Sequence, residues 1–174
     1  SGDVELARAL EGDVHARTME LIGCDRTLAK NGIYGTSYGA GPKRLVDMLR
    51  SNGVYATEKS MKDFQEALAR AYPRWWAYLQ TQGEGGKAQG YLRNPFGRVR
   101  RFTNPDGDVP AMKDYGPQST VGDIGWTIYR PIANEVRLIG GRISVLVHDE
   151  VVIQAPRNRV REGAHLLRDI MEQE

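Results

Sequence analysis

The stretch RTLAKNGIYGTSYG, residues 26–39, has the spacing of one helix although it carries Gly32, Gly35 and Gly39. Each interior glycine costs roughly 1 kcal/mol relative to alanine. Something must therefore lie close against this element. Arg26, Lys30, Tyr34 and Tyr38 recur at every fourth position, which lines them along a single helix face. Two cations occupy one end of that stripe and two aromatic rings the other.

Two interpretations of the stripe stay open at this level. In the first, the tyrosines are core residues and the cations reach out to solvent along their aliphatic stems. In the second, the stripe matches a nucleoside triphosphate, with phosphates at one end and a flat base at the other. Gly35 and Gly39 each follow a tyrosine. On the second interpretation they remove bulk beside the rings, so an external ligand is what approaches the bare backbone.

Outward from this helix, residues 3–11 and a segment opened by Asp13 read as two short helices, the latter with Asp13 as N-cap. A helix is expected from Pro42 to Ser51, with proline in its first turn. Another starts at Thr57, with Phe64, Leu68 and Ala71 on one face, is interrupted at Pro73, and resumes through Trp75, Trp76 and Leu79. GEGGKAQG is expected to end that block, followed by strand-like GYLR and RVRRF around the turn NPFG. A helix from about Pro117 is expected to turn Ile124 and Ile128 inward. Two apolar runs then meet at His148, Asp149 and Glu150, and a last helix covers about 158–172. Helices first, then strands with helices packed beside them, is an α+β arrangement.

The chain of 174 residues is 40% hydrophobic and 26% charged, ordinary values that exclude a disordered tail. A net charge of +2 says little, but its distribution says more. Arg93, Arg98, Arg100 and Arg101 crowd one short segment, and RNRVR occupies 157–161. Such clusters are either solvated faces or phosphate-binding tracks. Cys24 is the sole cysteine, so an intrachain disulfide is impossible and a reducing, cytoplasmic setting is expected. No apolar run approaches the roughly 20 residues that span a bilayer, so no membrane partner is expected.

A carboxylate pair between two apolar strands, as in VLVHDEVVIQAP, is either a solvated turn or a site awaiting a cation. Taken with the spacing Arg26-x3-Lys30-x3-Tyr34-Gly35-x2-Tyr38-Gly39, it resembles the family A DNA polymerases. That resemblance implies a right-hand polymerase fragment: 1–12 as a palm helix, 13–105 as the helical fingers and 106–174 as the C-terminal half of an antiparallel palm sheet. It implies that Arg26 and Lys30 hold the triphosphate, with Lys30 also catalytic, and that Tyr34 stacks on the incoming base and sugar. The family has Phe or Tyr there, the tyrosine form going with tolerance of sugars lacking the 3′-hydroxyl. Tyr38, with Gly39 beside it, would fill the insertion site until the templating base displaces it.

The palm hairpin of the family implies Asp149 as a ligand of magnesium in a two-metal site. Glu150 would support that site and His148 would face the primer. GDVHARTM resembles the family's GxxxH helix start, a resemblance that implies His15 as a ligand of the β- or γ-phosphate region. GYLRNPFGRVRRF resembles a strand pair in which Arg98 and Arg100 approach the template backbone. PQSTVGDI resembles the helix start whose glutamine, here Gln118, reads the minor groove at the primer end. YPRWWAYL resembles the helix crossing the fingers, its aromatics expected in the core. The chain departs from the pattern at Asp114, where asparagine is usual, at Ser119, where glycine is usual, and in Asn31, Gly32 and Ile33 before Tyr34.

No exonuclease segment, thumb or first catalytic aspartate is recognisable. Asp3, Asp13 and Asp25 are the nearest candidates for that aspartate, and none follows a strand. The expectation is a natural or processed piece of a split polymerase in a bacterial or phage-infected cell. It would act on primer-template DNA and dNTPs with a complementary chain that carries the thumb and first half of the palm. Alternatives are a fragment of a single-subunit phage-type RNA polymerase, which Tyr34-Gly35 and Glu150 disfavour, and a DNA-binding remnant without chemistry.

Overall fold

The structure, a computed structural model, describes residues 2–147 and 150–172. Six helices come first: α1 (Val4–Leu10), α2 (Val14–Ile22), α3 (Arg26–Ser37), α4 (Pro42–Ser51), α5 (Glu58–Ala71) and α6 (Pro73–Gln89). An antiparallel hairpin of β1 (Tyr91–Arg93) and β2 (Val99–Arg101) follows, then α7 (Val109–Leu138). A second antiparallel hairpin, β3 (Arg142–Val147) with β4 (Glu150–Gln154), precedes a short 3-10 turn (Arg157–Arg159) and α8 (Val160–Met171). This is the α+β order expected. The chain divides into two compact units, Ser1–Pro117 and Gln118–Glu174, the boundary falling inside α7.

The first unit has its core among α2 to α6. Leu45, Leu49, Met61, Phe64, Leu68, Tyr72 and Leu79 are almost wholly buried there, and Trp75 joins them with Trp76 and Tyr78 at the margin. Local chemistry sets the helix starts. Asp13, Asp25 and Thr57 cap α2, α3 and α5 with their side chains, Thr57 in a reciprocal capping box with Ser60. Asp3 does more. Its Oδ1 accepts from the Leu6 N–H at 3.1 Å, and its Oδ2 accepts from the Arg74 and Trp75 N–H groups at 2.8 and 2.9 Å. One buried carboxylate thus caps both α1 and, from a distant part of the chain, α6. A smaller cluster of Leu92, Phe102, Met112 and Tyr115 anchors the first hairpin on the start of α7.

Three expectations need correction. First, α6 does not stop at the glycines of GEGGKAQG but continues to Gln89. Those glycines allow a close neighbour: a Cβ at Gly86 would stand 2.7 Å from the Met112 side chain, and one at Gly83 would touch Lys113 and Val109. Tertiary packing overrides the weak local propensity, and Gly90, at φ 70°, ends the helix instead. Second, α7 begins at Val109, so Pro117 and Pro131 both lie within it; each leaves one helical carbonyl without its usual donor. Third, Ile124 is exposed. The residues of α7 that are buried in the second unit are Ile132 and Val136, joined by Ile139 just after the helix.

In the second unit, Gly163 of α8 lies against Ile153 of β4 and Ile139. The hairpin β3–β4 carries an irregularity between Ile143 and Val145. Most of it stays uncovered: Val145, Leu146, Val147 and Val152 are all exposed.

Candidate functional site

Helix α3 buries Ala29, Gly32, Ile33, Gly35 and Thr36 and exposes Arg26, Lys30, Tyr34 and Tyr38. The stripe is therefore an outer face, and the core interpretation of its tyrosines fails: Tyr34 and Tyr38 are 45% and 46% exposed. The buried stripe explains the glycines, which lie against neighbouring side chains and not beside a ligand. A Cβ at Gly32 would stand 2.6 Å from Cζ of Phe64 and overlap Cε1, and one at Gly35 would overlap Cδ2 of Leu45. Gly39, at φ +75°, ends the helix with its Cα so close to Pro110 that a Cβ would lie 2.5 Å from that backbone. These glycines admit neighbouring parts of the same unit, not an external ligand.

The start of α2 meets this face. Asp13 Oδ1 accepts from the backbone N–H groups of His15 and Ala16 at 3.0 and 3.1 Å. Its Oδ2 accepts from Nη1 of Arg26 at 2.6 Å, both side chains remaining half exposed. The hydrogen bond from Arg26 holds the Asp13 carboxyl below the usual carboxylate value. The ring of His15 meets that of Tyr34 edge to face, centroids 5.4 Å apart, and His15 Nδ1 is buried without a hydrogen-bond partner among the described residues. His15, Arg26 and Tyr34 thus come together, with Lys30 and Tyr38 along the same face. Sequence reasoning missed Asp13 as the partner of Arg26. The pair spans two helices, and no intrahelical spacing announces it.

The other expected residues stand on separate elements. Arg98 begins the return limb of the first hairpin. Its N–H donates to Oδ1 of Asn94 at 2.9 Å, and its carbonyl accepts from the Tyr115 hydroxyl at 2.6 Å. The guanidinium of Arg100 lies over the Phe102 ring, 5.3 Å from its centroid. Gln118 is an exposed residue of α7, and Glu150 is exposed at the start of β4 opposite Val147; both belong to the second unit. His148 and Asp149 lie outside the described residues. Among those described, no three His, Cys, Asp or Glu side chains cluster as metal ligands. Asp3, Asp13 and Asp25 are all helix caps.

An exposed face with a lysine, an arginine and two rings can bind an anion at one end and stack a planar group at the other. Asp13 occupies Nη1 of Arg26, whose side chain remains half exposed.

The chain is similar to known proteins along its whole length. It is 27% identical to a thermostable DNA polymerase I of Thermus thermophilus over 191 aligned residues, which cover 99% of this chain and 22% of that protein. It is 28% identical to DNA polymerase I of Chloroflexus aurantiacus, covering 98% and 20%. The chain thus spans about a fifth of the length of these relatives. Its fold matches the POL domain of Pol1 from M. smegmatis, solved in complex with DNA primer-template and dNTP, with a TM-score of 0.79 at 20% identity, covering 97% of this chain and 33% of that one. The sequence profile of DNA polymerase family A matches residues 1–174. The chain belongs to the family A DNA polymerases.

Proposed function

We propose that this chain takes part in template-directed DNA synthesis, supplying the fingers and the second half of the palm for nucleotidyl transfer from dNTPs to a primer 3′ end. The observation that carries this is the exposed face of α3, where Arg26, Lys30, Tyr34 and Tyr38 stand side by side and His15 contacts Tyr34. Lys30 meets the triphosphate and stabilises charge building on the leaving group. Arg26 joins it on releasing Asp13, and His15 binds the far phosphates. Tyr34 stacks on the incoming base and sugar, while Tyr38 beside Gly39 holds the insertion site. Arg98 and Arg100 follow the template backbone, Gln118 contacts the primer-terminal minor groove and His148 faces the primer.

Among the described residues no three His, Cys, Asp or Glu side chains cluster as metal ligands. The family's two-metal chemistry would require Asp149, supported by Glu150, and a second carboxylate from a polypeptide carrying the thumb and first half of the palm. The proposed setting is a bacterial cytoplasm.

Primer extension tests this. The chain alone should be inactive, and mixing it with a polypeptide carrying the missing palm half should restore synthesis. Asp149→Asn in that mixture should abolish extension and leave primer-template affinity nearly unchanged. Synthesis that survives Asp149→Asn would refute the role given to Asp149, and an inactive mixture that still binds DNA would favour a non-catalytic remnant.

A further inference from the structure

The hairpin β1–β2 has two chemically different faces. Cross-strand partners share a face, so the pairing Leu92↔Arg100 sets those two on one side, and Tyr91↔Arg101 with Arg93↔Val99 sets four residues on the other. The first face is closed: Leu92 is buried with Phe102, Met112 and Tyr115, and Arg100 is held over the Phe102 ring. The second is open, with Tyr91 38% exposed and Val99, Arg93 and Arg101 exposed beside it. Phe96 at the turn is 52% exposed.

The open face is cationic without compensation. Residues 90–105 contain no aspartate or glutamate, and neither Arg93 nor Arg101 forms an ion pair among the described residues. Arg93 Nη1 instead donates to the Gly97 carbonyl at 3.0 Å, which keeps its guanidinium beside the turn. A tyrosine set directly across from one arginine and two residues from another offers a stacking surface next to phosphate partners. That alternation is what an unpaired nucleic-acid strand presents, base by phosphate. Three residues per strand span about 10 Å, the length of roughly three stacked nucleotides at about 3.4 Å each.

We infer that the Tyr91, Arg93 and Arg101 face binds single-stranded nucleic acid, as a platform distinct from the template-backbone roles proposed for Arg98 and Arg100. Bases stack on Tyr91 while Arg93 and Arg101 contact flanking phosphates. This binding needs neither synthesis nor a second polypeptide, so it stands or falls apart from the polymerase proposal.

The test is fluorescence anisotropy of a labelled 15-nucleotide oligothymidine with the 174-residue chain, titrated at several salt concentrations. Tyr91→Ala should weaken binding about 5- to 150-fold, and Tyr91→Phe should bind like the parent chain. Replacing Arg93 and Arg101 together by Gln should reduce the salt slope by about 1.4, roughly 0.7 for each phosphate that is no longer neutralised. Melting followed by circular dichroism should show all three variants folded at the assay temperature, because none of the altered side chains is fully buried. Three results would overturn the inference. One is Tyr91→Ala binding as tightly as the parent chain. Another is a duplex of equal length binding equally well with the same dependence on these residues. The third is capture of phosphatidylserine vesicles by this face with no retention of the oligonucleotide.

Discussion

Replacing Gly32 by alanine sets helix propensity against packing, and the structure predicts which wins. On propensity alone the change should stabilise α3 by about 1 kcal/mol. The new methyl, however, would stand 2.6 Å from Cζ of Phe64, where carbon atoms rest comfortably at about 3.5–4.0 Å. The ring must retreat by roughly 1 Å, yet Phe64 is only 3% exposed and sits among Leu45, Leu68 and other core side chains. Overpacking of this kind costs about 1–3 kcal/mol. A rigid ring with nowhere to go belongs at the upper end, leaving a net loss of about 2 kcal/mol after the propensity gain. Urea denaturation at fixed pH measures it. The companion variant Phe64→Leu opens space, so Gly32→Ala made in that background should cost less by at least about 1 kcal/mol. A Gly32→Ala chain more stable than its parent, or strictly additive effects in the double variant, would refute the claim that the α3 glycines serve internal packing.

Asp3→Asn should lose about 2 kcal/mol, because one carboxylate caps two helices and an amide presents only one acceptor to donors on both sides. Burial pushes the Asp3 carboxyl up, but N–H groups of Trp75, Leu6, Arg74 and Glu5 more than offset it and hold it below the usual carboxylate range. A lowered folded-state value means this stabilisation is complete above about pH 4 and is lost as pH falls through the folded value; thermal melts from pH 6 down to pH 2.5 should show a shallower acid decline in the variant, and parallel curves would contradict it. Sedimentation of the chain alone should reveal self-association, since β3–β4 exposes Val145, Leu146, Val147 and Val152. A monodisperse monomer across the micromolar range would show that this hairpin needs no cover.

The helices whose ends carry their own chemistry were legible from the residues. Asp13, Asp25 and Thr57 announce starts, and Pro42 sits where only the first turn tolerates it. Helices α6 and α7 were misplaced for the converse reason. Gly83, Gly86 and Pro117 look like breakers until one knows that Met112 and Lys113 lie against the glycines and that α7 runs from Val109 on past Pro117. The ridge of α3 was legible because fourth-residue spacing is a geometric fact about helices. Which neighbours fill the opposite face was not, so Gly35 and Gly39 pointed to a ligand when Leu45 and Pro110 occupy that space. The Asp13 to Arg26 ion pair joins two elements and has no signature in either.

If the outer face of α3 grips the triphosphate as proposed, bound nucleotide must shield Lys30 from chemical labelling. Lysine acylation by acetic anhydride can be read residue by residue by mass spectrometry, in the assembly with primer-template, with and without the correct dNTP. Lys30 should be protected by the nucleotide while the exposed Lys43 and Lys59 are labelled equally in both states. Equal labelling of Lys30 with and without a saturating correct dNTP, in an assembly competent for synthesis, would contradict the account.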